Sequence, residues 1–493
     1  MPRHIAILGG GLTGLSSAFH LSRRFPNARI TLLEKQNRFG GWVRSEQVQL
    51  EPTASLTVEA GPRTLRPAGK SVLELSLLLK TPRSAPAAHS RFIYAPTIQP
   101  GLTSIPTTPL AFLRSPLRVL LPDILREPLR KSNRTATTSQ SKNETYDESL
   151  DSFLSRRFGP ELARVLGSAL VHGIYAADAR DLSVRAAFPS LYDIEDNGNG
   201  SVVLGILKMM MGIKKPIPKD NDYELGDVEA LMQGIAVYSF QGGIQTLPNA
   251  LVNALQSKPA LELCSEEGVA GIEMRGQDGS FVVHTPKRTL SPSHIISALP
   301  LHSLQPILPS YAPALPHLGA NPSSSVTVLS LIFAAPPHTI HPAGFGYLIP
   351  RPKDDYSPSA LGILGTVFDS NALPIPPGAD HAHEAKYTKL TVMLGGPYPG
   401  ALPQDKTVLL AQVMDHLRSA LQRDLPEPIA SRVWRQDRCI PTLRVGHRQR
   451  MAELREVLEG RVWRGRMEVV GAGVDGLSVG DCVEAGRRVG ARW

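Results

Sequence analysis

The apolar run Ile5 to Leu8 leads directly into Gly9, Gly10 and Gly11, with Gly14 three positions further on. Beyond Leu12 and Thr13 the chain carries Leu15, Phe19 and Leu21 at helical spacing. After a Pro-Asn-Ala turn, RITLLEK reads as a second buried strand ending on Glu34 and Lys35. Strand, glycine turn, helix, strand and terminal acid form one unit, and few folds accept it. Gly9 permits the sharp turn, Gly11 admits backbone N–H groups to a pyrophosphate, and Gly14 lets the helix close on the strand. The helix N-terminus adds unpaired donors and a partial positive charge. Glu34, 20 residues beyond Gly14, stands where an acid takes the ribose hydroxyls of an adenine nucleotide. The spacing therefore predicts an α/β dinucleotide-binding domain.

With 493 residues, two or three domains are expected. Lys and Arg number 53 against 44 Asp and Glu, a net charge of +9 that suits an anionic partner. Nucleic acid is excluded from that role, because the cations are scattered and no recognition motif appears. Cys264, Cys439 and Cys482 lie far apart without metal-ligand spacing, so neither a disulfide framework nor a metal site is expected. The first strand begins by residue 4, which leaves no signal peptide to expect, and no run approaches 18 apolar residues.

After Glu34 the loop NRFGGWVRS brings Gly40, Gly41 and Trp42 together with Arg38 and Arg44, and AGPRT follows with Gly61, Pro62, Arg63 and Thr64. Glycines for close approach and guanidinium groups for phosphate go beyond a plain NAD site. Residues 97–131 mix Leu, Phe and Ile with Pro and Arg, and the prolines cut them into short helices. Residues 202–219 join Val, Leu, Ile and three Met to Lys208, Lys214, Lys215 and Lys219. Such text suits a membrane headgroup layer or a core stripe, and both readings stay open from the residues alone. Residues 130–148 are polar and read as a disordered excursion. The sequence from 148 to 176 predicts two helices split at Gly159-Pro160. HIISALP reads as a further parallel strand, and VTVLSLIF, LGILGTVF and KLTVMLGG as an antiparallel sheet. A second glycine set, Gly471, Gly473 and Gly476, repeats the nucleotide spacing. The 17 residues after it are too few for another such domain, so the last strand and helix are expected to rejoin the first sheet. The helix start at Leu477, Ser478 and Val479 would then point its positive end toward the nucleotide-binding site.

The motifs GGGLTGLSSAFHLSR, RFGGWVRS, AGPRTLRPAG, SRFIY, FGPELA, HGIYAADARDLSVRAAFPSL, FQGGIQTLP, HIISALP, GFGYLIP, TVMLGG, RCIPTLRVGH and GVDGLSVGDCVEAGR run from end to end of the chain. In that order they resemble the protoporphyrinogen oxidase family, FAD-dependent flavoproteins of the amine-oxidase type in their mitochondrial eukaryotic form. The resemblance implies three parts: a discontinuous Rossmann-like FAD domain (1–80, 240–310 and 430–493), an antiparallel-sheet substrate domain (81–96, 220–239 and 311–429) and a helical membrane-binding domain (97–219). It implies one non-covalent FAD per chain held by Gly9, Gly10, Gly11, Leu12, Thr13, Gly14, Glu34, Lys35, Gly41, Trp42, Gly61, Pro62, Arg63, Thr64, Val269, Leu477, Ser478 and Val479. Arg63 would contact the pyrophosphate or the flavin ring.

Substrate contacts carry over to Arg91 as the propionate cation, to Gly346, Leu348 and Met393 as the pocket wall, and to Gly173, Ile174, Tyr175 and Ala176 facing the ring from the other side. The implied reaction oxidises protoporphyrinogen IX in successive two-electron steps, with O2 as acceptor and H2O2 as product. The implied setting is an anionic membrane surface, the mitochondrial inner membrane on its intermembrane-space side, with a homodimer and hand-over to ferrochelatase as partners. No general base is assignable; His172 and His447 read as structural histidines. A related amine or polyene oxidase is the alternative enzyme, and a non-catalytic FAD-binding protein the alternative of another class. Two departures, VGDC and HGIYAAD, bear on the flavin contacts near Val479.

Overall fold

The apolar strand His4–Leu8 is buried on both faces, as a central parallel strand must be. A computed structural model describes residues 1–52, 54–81, 83–84, 90–130, 146–212, 222–275, 280–309, 314–372 and 386–493. Most of the polar excursion, both Lys214 and Lys215, and Lys219 lie outside those residues. His4–Leu8 sits third in a five-stranded parallel sheet ordered Met467–Val469, His294–Ser297, His4–Leu8, Arg29–Leu33, Leu261–Cys264. The expected parallel strand HIISALP and the return of the C-terminus to the first sheet are both present.

Helix Leu12–Arg24 packs on this sheet beside the C-terminal helix Val479–Arg488. Their approach depends on Gly486, where a Cβ would stand 2.7 Å from both Thr13 O and Ser17 N. The opposite face is covered by the antiparallel strands Gly271–Arg275, Ser280–His284 and Thr289–Leu290 and by helix His447–Glu459.

A second sheet has seven strands, ordered Ala430–Pro441, Ser323–Phe333, Thr388–Gly395, Ile363–Val367, Gly346–Leu348, Phe92–Tyr94, Leu102–Ser104. One face packs on helix Lys406–Leu421 through Leu329, Leu331, Leu390 and Val392. Its composition shifts three boundaries expected from the sequence. Residues 430–441 pair with Ser323–Phe333 rather than joining the nucleotide domain, because a strand polar on one face suits an antiparallel edge and not a doubly covered parallel sheet. Strand Leu102–Ser104 extends this sheet past residue 96. Leu225, Val228 and Tyr238, expected with the substrate domain, pack instead in the nucleotide-domain core with Phe240, Ile5 and Leu15.

The third part is helical. Pro109–Arg114, Leu121–Arg126 and two 3-10 turns each begin with proline in the first turn, where its missing N–H is harmless. Helices Leu150–Phe158 and Ser168–Tyr175 are separated at Gly159 (φ +90°) as expected. Fully buried Glu127 accepts from Arg157, from Ser201 Oγ and from the Val202 and Val203 amides. This pins the apolar helix Val202–Met210 to the cluster.

Candidate flavin and substrate site

The glycine turn is as tight as its spacing implies. A Cβ on Gly14 would lie 1.9 Å from Gly9 O, and one on Gly10 would lie 2.6 Å from Phe39 Cδ1. Gly11 caps helix Leu12–Arg24 with no side chain on the first-turn amides and no acid in that turn, so the donors of Leu12 and Thr13 stay open. The second glycine loop lies directly against it: Gly40 N donates to Gly10 O at 2.8 Å, and a Cβ on Gly41 would stand 3.2 Å from Gly11 Cα. Glu34 Oε2 and Oε1 accept from the Gly10 and Gln36 amides, each at 2.8 Å. A carboxylate offers about four acceptor positions, which leaves two for ribose hydroxyls. Lys35 lies against Gly268, the residue before Val269: a Cβ on Gly268 would stand 3.0 Å from Lys35 Cβ.

Three expectations about cofactor contacts change. Arg38 donates to the carbonyls of Val43 and Gly41 and so braces its own loop rather than a phosphate. Arg63, 7% exposed, places Nη1 3.0 Å from Oδ1 of Asp369, the first residue of the short helix Asp369–Ala372 that follows strand Ile363–Val367 of the seven-stranded sheet. A buried guanidinium requires a partner, and the carboxylate nearest to this one belongs to the other domain. At Ser478, the start of the last helix, Asp481 Oδ2 accepts from the Leu477 and Ser478 amides at 3.0 and 2.9 Å in a capping box. That carboxylate offsets much of the positive end expected there, and the Val479 and Gly480 amides remain for a ligand. Gly61 lies under Trp42, whose carbonyl would stand 2.7 Å from its Cβ. Pro62 is exposed and Thr64 half-buried.

The substrate residues converge on the face of the seven-stranded sheet opposite helix Lys406–Leu421. Register places Trp434, Val328, Met393, Gly365, Leu348 and Ile93 in one transverse row. Arg91, exposed and with no carboxylate partner among the described residues, precedes strand Phe92–Tyr94 beside Gly346 and shares the face of Ile93 by alternation. Gly365 was not singled out in the sequence. A glycine inside the alternating run LGILGTVF marks a close approach, and a Cβ there would stand 2.6 Å from Tyr347 O and 2.8 Å from Leu348 Cδ2.

From helix Ser168–Tyr175, Gly173 meets Leu348 so closely that a Cβ would lie 2.5 Å from Leu348 Cδ2. Expected on opposite sides of a ring, the two are in contact here. Ala176, left-handed at φ +46°, shares an apolar cluster with Val326, Val328, Met393 and Tyr398. Ile174 is 42% exposed, and Tyr175 turns away to donate its hydroxyl to Ala187 O, so of the four only Gly173 and Ala176 reach the sheet. A cavity of about 950 Å3, large enough for a sizeable ligand, opens beside the row between Ala177, Val326, Gly396 and Tyr398. Gln436 on its wall donates to Ala60 O at 3.3 Å, next to the Gly61 loop.

Neither candidate histidine has a free nitrogen. His172 donates from Nδ1 to Ile349 O at 2.7 Å and accepts at Nε2 from Tyr356 OH at 2.8 Å. His447 lies between Asn321 Nδ2 and Val474 O. Burial pushes both imidazoles down to about 4, so both are neutral at physiological pH. The three cysteines are unpaired, and no metal-ligating cluster occurs among the described residues.

A glycine-turn nucleotide domain facing an apolar, cation-ended wall on a second sheet defines a two-domain dinucleotide-binding oxidoreductase. The chain belongs to the flavin containing amine oxidoreductase family, which it matches over residues 12–492. It is 32% identical to the protoporphyrinogen oxidase of Homo sapiens across 99% of this chain and 98% of that one. Against the protoporphyrinogen oxidase of Schizosaccharomyces pombe the identity is 29%, over 98% and 96%. A crystal structure from Exiguobacterium shares the fold at TM-score 0.76 and 22% identity, covering 98% of this chain and 97% of that one. The family's cofactor is FAD. The residues present fit it: Gly11 and Gly41 meet across a gap that any side chain would fill, above open helix N-terminal amides.

Proposed function

We propose that this protein oxidises protoporphyrinogen IX to protoporphyrin IX in successive two-electron steps, with O2 taking the electrons and H2O2 leaving, the penultimate step of haem biosynthesis. The observation that carries this reading is the row Leu348, Gly365, Met393 with Arg91 beyond its end: an apolar wall beside an exposed cation that has no carboxylate partner among the described residues. A macrocycle bearing propionates has the complementary shape and charge. FAD supplies the hydride acceptor. Arg91 pairs with a propionate and sets the ring's direction, while Met393 and the backbone at Gly365 support its face. Holding the donor carbon carries most of the rate, consistent with histidines already committed to neutral structural bonds.

The setting we propose is peripheral, on the intermembrane-space side of the mitochondrial inner membrane. Leu110, Leu113, Val119, Leu125 and Leu129 are 52–84% exposed beside Arg114, Arg118 and Arg126. Met210 and Met211 are 79% and 67% exposed on the neighbouring helix end. Apolar side chains among cations suit an anionic lipid surface, and no helix among the described residues is long and apolar enough to cross one. A homodimer and product hand-over to ferrochelatase belong to the same reading.

The test is to record the visible spectrum of purified protein, add protoporphyrinogen IX in air, and follow porphyrin fluorescence against a heat-killed control. Flavin bands with enzyme-dependent fluorescence support the proposal. Flavin bands without it keep the family and redirect the search to amines and polyenes.

A further inference from the structure

Glu59 is a carboxyl that the proposed oxidation does not use, yet it lies 4% exposed where three segments bordering the nucleotide meet. Oε2 accepts from Ser45 Oγ at 2.7 Å and Oε1 from the Ile244 amide at 3.0 Å. Ser45 Oγ also accepts from the Gln245 amide at 3.1 Å, and the Ser45 amide donates to Gln245 Oε1 at 3.2 Å. The node is closely packed: a Cβ on Gly243 would lie 2.3 Å from Ser45 Oγ and 2.5 Å from Glu59 Oε1.

Each member leads into the cofactor cradle. Ser45 follows the Gly41 loop that abuts Gly11. Glu59 ends strand Ala54–Glu59, and the next residues are the Gly61 loop beneath Trp42. Ile244 and Gln245 precede helix Thr246–Gln256, whose Pro248 would stand 3.3 Å from a Cβ on Gly40. Burial pushes the Glu59 carboxyl up to about 7, so its charge opposes folding at neutral pH. A group that costs stability while binding three loops acts on their geometry.

We propose that Glu59 is a positioning residue for FAD: its carboxylate draws residues 40–45, 59–64 and 242–246 into the register in which Gly11, Gly41 and Gly61 present their backbone to the cofactor. The inference rests on the family's flavin and not on the porphyrinogen reading.

The experiment measures FAD per chain and FAD dissociation constants for wild type, Glu59→Ala, Glu59→Gln and Ser45→Ala, with melting of each apoprotein alongside. Glu59→Ala and Ser45→Ala are expected to weaken FAD binding about tenfold, the effect of losing a buried hydrogen bond that joins two of the loops. Glu59→Gln, which preserves shape and an acceptor, is expected to bind within about threefold of wild type. Apoprotein destabilised by Glu59→Ala with FAD affinity unchanged would overturn the proposal, as would a Gln variant as weak as the Ala variant. If Glu59→Ala does not fold, Ser45→Ala decides alone, and wild-type affinity in it overturns the proposal.

Discussion

Two charged residues show how position decides chemistry. Arg91 keeps its guanidinium in solvent at the end of the apolar row, so it is available to a carboxylate. Arg91→Ala should raise KM for a propionate-bearing substrate about tenfold or more while leaving FAD content unchanged. Steady-state kinetics with flavin absorbance checks both, and an unaltered KM removes Arg91 from the site. Glu59 is the opposite case, a buried acid whose pKa rises from the ordinary carboxylate range to about 7. The folded state then holds the proton more tightly than the unfolded chain does. Below about pH 4.5 both states are protonated and there is no penalty; between about 4.5 and 7 the penalty grows, and above 7 it is constant. Glu59→Gln apoprotein should therefore gain up to about 3 kcal/mol over wild type at pH 8 and nothing at pH 4. Parallel denaturant titrations at the two pH values measure it, and equal differences at both would mean that Glu59 does not titrate in this window.

Among elements, strand Ile363–Val367 and helix Ser168–Tyr175 set the groove. Gly365 leaves a gap in the row that Leu348 partly occupies, and its missing side chain keeps Tyr347 and Leu348 in place. Gly365→Ala should cost about 1–3 kcal/mol by overpacking and lower kcat/KM further by narrowing the groove. A variant with unchanged kcat/KM would place the substrate elsewhere. The ion pair Arg63 to Asp369 ties the Gly61 loop to the same sheet, and Thr391 Oγ1 donates to the second Asp369 oxygen. Asp369→Asn leaves a buried guanidinium without its counter-charge and should destabilise the protein by about 3–5 kcal/mol. Chemical denaturation reads this directly; a loss below 1 kcal/mol would mean that water compensates the cation.

For the whole molecule, the asymmetry that matters is surface chemistry. Exposed Leu125, Leu129 and Met210 lie on the helical part, while the two sheets bury their apolar faces. Leu125→Glu combined with Met210→Glu should release the protein from anionic vesicles at low salt without changing turnover of detergent-solubilised substrate. Vesicle sedimentation checks this, and full retention would point to another docking face. Under the proposed setting, the net charge of +9 would add general attraction to an anionic surface.

Local periodicity and glycine spacing were enough to read the nucleotide unit, the parallel strand at 294–297, the antiparallel strands and the helix break at Gly159. Each depends on backbone conformation or side-chain alternation within a few residues. The sequence also contained the right residues for a pocket wall, but only as separate motifs. Tertiary structure alone decided that Arg63 answers to Asp369, that Asp481 caps the last helix, that 430–441 joins the second sheet, and that Gly365 opens the row between Leu348 and Met393. The reason is physical: buried charges take whichever partner the fold brings near, and strand register is set by pairing across distant segments, neither of which local sequence encodes.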